Sequence, residues 1–159
     1  IAEVNGTATA AGCQLVASCD LAYASKAATF ATPGVNIGLF CSTPMVAISR
    51  NVSNKHSMEM LLTGDLISAE KAEKIGLINK AVENSLLKKE TLDAAKKISK
   101  KSAITLKIGK EAFYKQIDMT LSEAYDYASN VMVENMLKID AEEGIGAFIE
   151  KRKPNWQDK

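Results

Sequence analysis

Residues Asn5-Gly6-Thr7-Ala8-Thr9-Ala10-Ala11-Gly12-Cys13-Gln14-Leu15 constrain the fold more than any other stretch of the chain. A strand-like run over residues 1–4 reaches an Asn-Gly turn. A string of small side chains follows, and an apolar pattern of helical spacing begins near Ala10 and fades at Ser18. Small residues at such a junction let another molecule approach the backbone closely. The N–H groups of the first helical turn have no intrahelical acceptor and lie at the positive end of the helix dipole. The junction is therefore suited to hold a partly negative oxygen.

The rest of the chain supplies the frame. Leu21-Ala22-Tyr23-Ala24, after Asp20, reads as a buried strand, and residues 29–32 read as a second one, ended by Pro33-Gly34. Residues 35–39 read as a loop or a brief extended piece. Ser42-Thr43-Pro44 has the composition of a helix start, with Ser42 or Thr43 as N-cap, and this helix carries Met45, Val46 and Ile48. A helix over residues 57–62 stops at Gly64. Ser68 is placed to cap another, with Glu70 in its first turn and Gly76 at its left-handed end, and residues 77–82 read as a strand. From Leu86 onward only helices are expected. Leu87, Ala94 and Ile98 share a face of the first, and Ile104, Ile108 and Ala112 a face of the second. Leu121, Ala124, Tyr125, Ala128, Met132, Met136 and Ile139 form one stripe on a long third helix, and a short last helix carries Ile145, Phe148 and Ile149. The pattern divides the chain into an alternating α/β part, residues 1–82, and a helical part, residues 83–159.

Composition excludes several classes of function. Twenty basic residues against nineteen acidic give a net charge of +1, so nothing global asks for nucleic acid or an anionic membrane. The Lys-rich stretch over residues 88–115 reads as a solvated helix face, with a ligand's phosphates or RNA as alternative partners; for RNA, the aromatics that would stack bases are confined to Phe113-Tyr114 at its end rather than interleaved. The apolar runs are too short to span a bilayer. Cys13, Cys19 and Cys41 are odd in number and lack metal-ligand spacing, which fits free thiols, and His56, the only histidine, does not complete a metal set with them. The chain opens on Ile inside a strand pattern, so it is expected to be a piece of a longer protein, and no targeting peptide can be read from that end.

Several segments together resemble the crotonase (enoyl-CoA hydratase/isomerase) family: Val4-Asn5-Gly6, Ala11-Gly12-Cys13-Gln14-Leu15, Cys19-Asp20, Phe30-Ala31-Thr32-Pro33, Leu62-Thr63-Gly64-Asp65, Ile67-Ser68-Ala69 and Ala72-Glu73-Lys74-Ile75-Gly76-Leu77. Glu143-Gly144-Ile145-Gly146-Ala147-Phe148 and Lys151-Arg152-Lys153-Pro154 resemble the family's C-terminus. Each segment is weak alone; in family order across the whole chain they are specific. The resemblance implies an α/β fold in which residues 1–82 are the second half of a spiral of β-β-α turns. Residues 83–159 would be the helices that join subunits into a homotrimer or hexamer. Half a spiral leaves strand edges unpaired, so poor independent stability is expected.

The resemblance also implies a partner and a chemistry. The partner would be an acyl-CoA or enoyl-CoA thioester of fatty acid metabolism, with CoA part of the substrate and no separate cofactor or metal. The location would be the mitochondrial matrix in a eukaryote, or the cytoplasm in a bacterium. Ala11 would offer its backbone N–H to the thioester oxygen as one half of an oxyanion hole, and Gly12 would permit the close approach. The family's two hydratase glutamates would stand at Gln14 and Gly34. Glutamine holds water but does not take its proton, and glycine offers nothing. General acid–base groups contribute about a hundred- to ten-thousand-fold each, so efficient hydration is not expected. Asn36 could bind substrate or water, or make only a loop hydrogen bond. Cys41 and Ser42 could line the pocket or act as nucleophiles, although no base adjoins them in sequence. Asp20 could be an acid or base, with a buried cap or turn acceptor as the plainer reading. Phe113, Tyr114 and Lys115 are candidates for closing the CoA site, and the phosphates that the Lys-rich stretch could meet would be those of CoA. Three readings stand: an enzyme with altered isomerase- or lyase-like chemistry, a non-catalytic acyl-CoA binder, and a structural oligomer.

Overall fold

The computed structural model describes every residue, Ile1–Lys159. The chain forms two compact units, Ile1–Ala95 and Lys96–Lys159, and the division falls inside a helix rather than at the change from strands to helices after Val82.

The first unit is a spiral. β1 (Ala2–Val4), β2 (Ala8–Thr9) and α1 (Ala11–Ser18) make one turn. β3 (Ala22–Ser25) and β4 (Thr29–Ala31) begin the next, which continues through a 3-10 helix (Pro33–Ile37) into α2 (Ser42–Ser49). The two turns stack in parallel register, with Ala2 beside Ala22 and Ala8 beside Phe30. β6 (Lys80–Val82) extends the first sheet in the order β1-β3-β6, and β5 (Ile67–Ser68) closes the second, antiparallel to β4. Strands this short hold because small side chains let the turns lie close. Ala24, Ala28 and Cys13 are fully buried together with Phe30 and Ile48.

The remaining helices of this unit are α3 (Asn54–Thr63), α4 (Ala69–Lys74) and α5 (Asn84–Ser99). The expected stops hold. Gly64 and Gly76 take left-handed φ angles of 68° and 83°, and the Ser68 side chain accepts from the Lys71 N–H. Four local expectations need correction. α3 starts a full turn before Ser57. Residues 33–37 are helical rather than extended, with Pro33 opening the turn and Gly38 ending it at φ 78°. Neither Ser42 nor Thr43 caps α2: Cys41 holds the cap position, and the Ser42 hydroxyl bends back to the Phe40 carbonyl. Of residues 77–82 only Lys80–Val82 form a strand, because the Leu77 and Ile78 N–H groups both turn back to the Ala72 carbonyl.

The second unit contains α6 (Ala103–Gln116), α7 (Leu121–Met136) and α8 (Ile139–Ile149). Thr120 and Glu123 start α7 with a reciprocal capping box. The expected seven-residue stripe is broken, because the chain leaves α7 at Leu137 and Ile139 belongs to α8. Its large members are exposed in the chain: Leu121 is 77%, Tyr125 70% and Met132 59% exposed. Ala124, Tyr127, Val131 and Asn135 lie on the more sheltered face. A C-terminal tail is strapped to this unit. Arg152 grips Glu143 with two bonds of 2.6 and 2.9 Å, and the Trp156 indole N–H reaches the Lys100 carbonyl. The N–H groups of Gln157 and Asp158 end on the buried Asp140. No helix is long and apolar enough to cross a membrane.

Candidate functional site

β2 and β4 run in parallel, so their C-terminal ends deliver two segments side by side: the start of α1 and the Pro33–Ile37 turn. The Ala10 N–H donates to the Ala31 carbonyl at 3.0 Å, which carries the ladder one residue beyond the strands. Ala10 then turns the chain at φ 47°, ψ −113°, a conformation that favours glycine and costs an alanine about 1–3 kcal/mol. Its carbonyl accepts the first helical bond, from the Gln14 N–H at 3.0 Å.

No side chain caps α1, and no acidic residue lies in its first turn. The N–H groups of Ala11 and Gly12 enter no hydrogen bond within the chain, and both residues are exposed. A methyl added at Gly12 would meet only the Ala8 Cβ, at 3.9 Å, so the helix surface beside Gly12 is uncrowded. Gln14 is half-buried. Its backbone carbonyl accepts from Ser18 at 2.8 Å, and its amide head has no partner in the chain.

The opposite wall is crowded. A Cβ built on Gly34 would stand 2.6 Å from the Leu39 carbonyl oxygen and 2.9 Å from the Cys41 Sγ. The Leu39 N–H donates to the Gly34 carbonyl at 2.9 Å and holds that arrangement closed. Cys41 is therefore packed into the space that a side chain at residue 34 would need. Cys13 is fully buried nearby. Burial, and then the neighbouring Cys41, push its thiol up to about 12, so it stays protonated and inert. Ser42 is committed to Phe40, and Asn36 is exposed on the 3-10 turn with its Nδ2 towards Gly64. Asp20, weighed above as a buried acceptor, is exposed.

Ala11, Gly12, Gln14, Gly34, Cys41 and Ser42 thus gather on α1 and the segment leading into α2. Phe113 and Lys115 lie on α6 in the second unit. The Phe113 ring meets Tyr114 edge-on, and the Lys115 ammonium sits 4.8 Å from the centre of the Tyr127 ring. His56 lies in α3 with Nδ1 3.4 Å from Glu59, and no three His, Cys, Asp or Glu side chains group as metal ligands would.

Two features were not visible in the sequence. The backbone of Ala10 is one, since nothing in an Ala-Ala pair announces a positive φ. Asn51 is the other. In the turn after α2, it donates both amide protons, to the carbonyls of Ala17 (2.9 Å) and Ala47 (2.8 Å).

A family model described as Enoyl-CoA hydratase/isomerase matches residues 1–159. The chain belongs to the enoyl-CoA hydratase/isomerase family. This crotonase-family chain is 56% identical over 156 residues to mouse enoyl-CoA hydratase domain-containing protein 3, mitochondrial, a match covering 98% of this chain and 52% of the mouse protein. The solved human protein of that name superposes with a TM-score of 0.95 at 53% identity, over 97% of this chain and 61% of the other. An enoyl-CoA hydratase from Mycobacterium smegmatis superposes equally well, at 49% identity, over 97% of this chain and 60% of the other. The chain spans about half the length of the curated relatives it matches.

Proposed function

We propose that this chain forms one wall of an acyl-CoA thioester site in which the Ala11 N–H donates to the thioester carbonyl oxygen as enolate charge develops. The observation that carries the reading is the exposed, unbonded N–H at the uncapped start of α1. Removing one such donor costs roughly 3–4 kcal/mol of transition-state stabilisation. Gly12 leaves the approach clear, Gln14 offers an uncommitted amide to a water or to the acyl group, and Asn36, Cys41 and Ser42 line the pocket. Phe113 and Lys115 on α6 are candidates for contacting CoA. CoA enters as part of the substrate, and no further cofactor is called for.

Gln14 and Gly34 leave no carboxylate to take a proton from water, so the chemistry is weak or altered isomerase- or lyase-like turnover within fatty acyl-CoA metabolism rather than efficient hydration. One observation favours a second reading, acyl-CoA binding without turnover: the space beside Gly34 is filled by Cys41 and the Leu39 carbonyl. The exposed apolar faces of α7 and α8 support assembly into a homotrimer or hexamer. The mitochondrial designation of the relatives supports a mitochondrial location.

The test is made on the intact protein. Loss of enoyl thioester absorbance is followed with short- and medium-chain enoyl-CoA while CoA-ester binding is measured by calorimetry. Binding with slow or absent hydration is expected. Rapid hydration contradicts the account of Gln14 and Gly34, and absence of binding removes the thioester reading altogether.

A further inference from the structure

We infer that Asn51 is a positioning residue that aims the Ala11 amide, an inference that rests on the thioester reading above. The Asn51 Nδ2 carries two protons and commits both to main-chain carbonyls, Ala17 in the last turn of α1 and Ala47 in α2. Carbonyls in a last helical turn have no intrahelical donor, so this bond meets a need that the helix leaves open. Asn51 is itself fixed. Its N–H donates to the Ile48 carbonyl at 3.0 Å, and the next residue, Val52, is buried and bonded to the same carbonyl at 2.8 Å.

The two helices joined by this one amide carry the two walls of the site. α1 begins at Ala11. α2 is entered through Cys41, whose sulfur packs against Gly34. Ala17 lies six residues along α1 from Ala11, about 9 Å at 1.5 Å per residue. Ala10 pins the start of the helix, so a slip at the Ala17 end tilts the helix axis about that anchor and re-aims the Ala11 N–H. Displacement by about 1 Å costs on the order of a hundredfold where a reaction depends on orientation. Asn51 is exposed, so its bonds set alignment and contribute little to the core.

The experiment uses Asn51→Ala and Asn51→Asp in the intact protein, with but-2-enoyl-CoA labelled with carbon-13 at the carbonyl. Aspartate keeps the size and removes both donors. Calorimetry reads binding, and isotope-edited infrared difference spectra read the bound carbonyl stretch, which falls in frequency when a donor polarises it. In the unsubstituted protein the stretch is expected to fall on binding. In both variants affinity stays within about threefold, because CoA contacts bind ground and transition states alike, while the shift drops by at least half. A full shift in either folded variant overturns the inference. Unfolding of both variants also overturns it, because Asn51 would then support the unit rather than aim one amide. If the unsubstituted protein shows neither binding nor shift, it is the thioester reading that fails.

Discussion

Gly34→Ala is the sharpest perturbation the structure offers. The added methyl would stand 2.6 Å from the Leu39 carbonyl oxygen, and that gap must open past 3.0 Å before any real Cβ fits. The oxygen belongs to the main chain, and the Leu39 N–H bond back to the Gly34 carbonyl holds the turn shut, so no side-chain rotation relieves the clash. The Cys41 sulfur blocks a second direction at 2.9 Å. Overpacking of this kind costs about 1–3 kcal/mol. Replacing glycine where φ is not positive returns roughly 0.4–1 kcal/mol through the unfolded chain. Gly34→Ala is therefore expected to destabilise the intact protein by about 1–2 kcal/mol in urea unfolding. The same obstacle governs Gly34→Glu: paired with Gln14→Glu, it is expected to leave hydration of enoyl-CoA near the level of Gln14→Glu alone. A Gly34→Ala protein as stable as its parent, or a double variant that hydrates orders of magnitude faster, would refute the steric argument.

Ala10→Gly removes the strain of a positive φ in an alanine and is expected to raise stability by about 1 kcal/mol, read as a shift of the denaturation midpoint; an unchanged or lower midpoint counts against the strain assignment. The C-terminal strap is expected to open in acid. The Arg152 guanidinium and the Asn155 N–H hold Glu143 down to about 2 from its ordinary 4.5. For Asp140, burial pushes the carboxyl up, but bonds from the Ser102 hydroxyl and the Gln157 and Asp158 N–H groups outweigh it and leave it below its ordinary value. A carboxylate depressed in the folded state stabilises above its unfolded pKa and loses that contribution as pH falls through the folded one. The fluorescence of Trp156, the only tryptophan, should therefore shift to the red between about pH 4.5 and 2, and Glu143→Gln should produce much of that shift at neutral pH. Flat emission across the window would show that the tail is held by other contacts. Replacing the exposed Tyr125 and Met132 by aspartate and glutamate is expected to lower the assembly state in sedimentation, and an unaltered mass would move the interface elsewhere.

What the sequence made legible was local. Ser68, Gly64 and Gly76 act within one helical turn of themselves, and their residue types state what the backbone does there. α1 was legible for the same reason, since small residues followed by an apolar helical period leave little choice at Ala11. Ser42 misled because a hydroxyl one residue past the cap finds an acceptor behind it, at Phe40, as readily as a donor ahead. The stripe on α7 was legible in its period as far as Met136 but not in its end, where the chain leaves the helix at Leu137. Periodicity reports that a face is apolar, not that the same chain covers it, and Leu121, Tyr125 and Met132 remain open. The crowding at Gly34 could not be read at all. It depends on Leu39 and Cys41 returning through space to the glycine, and a glycine in sequence looks like room rather than its absence.

The two segments that meet at the candidate site are built differently, and the energetics show which one the fold constrains. Ala10 holds a backbone conformation that costs an alanine about 1–3 kcal/mol, and both of its main-chain groups are pinned, the N–H by Ala31 and the carbonyl by Gln14. Strain persists where the surroundings over-determine it, and its consequence here is an amide at Ala11 that faces outward without an acceptor. On the other segment the Leu39 carbonyl and a buried thiol leave no room for a side chain at residue 34. Polarising a carbonyl needs only the first wall, whereas adding water across a double bond needs both. Under the thioester reading proposed above, an open, strained donor beside a closed position 34 favours gripping the carbonyl over supplying a base for hydration.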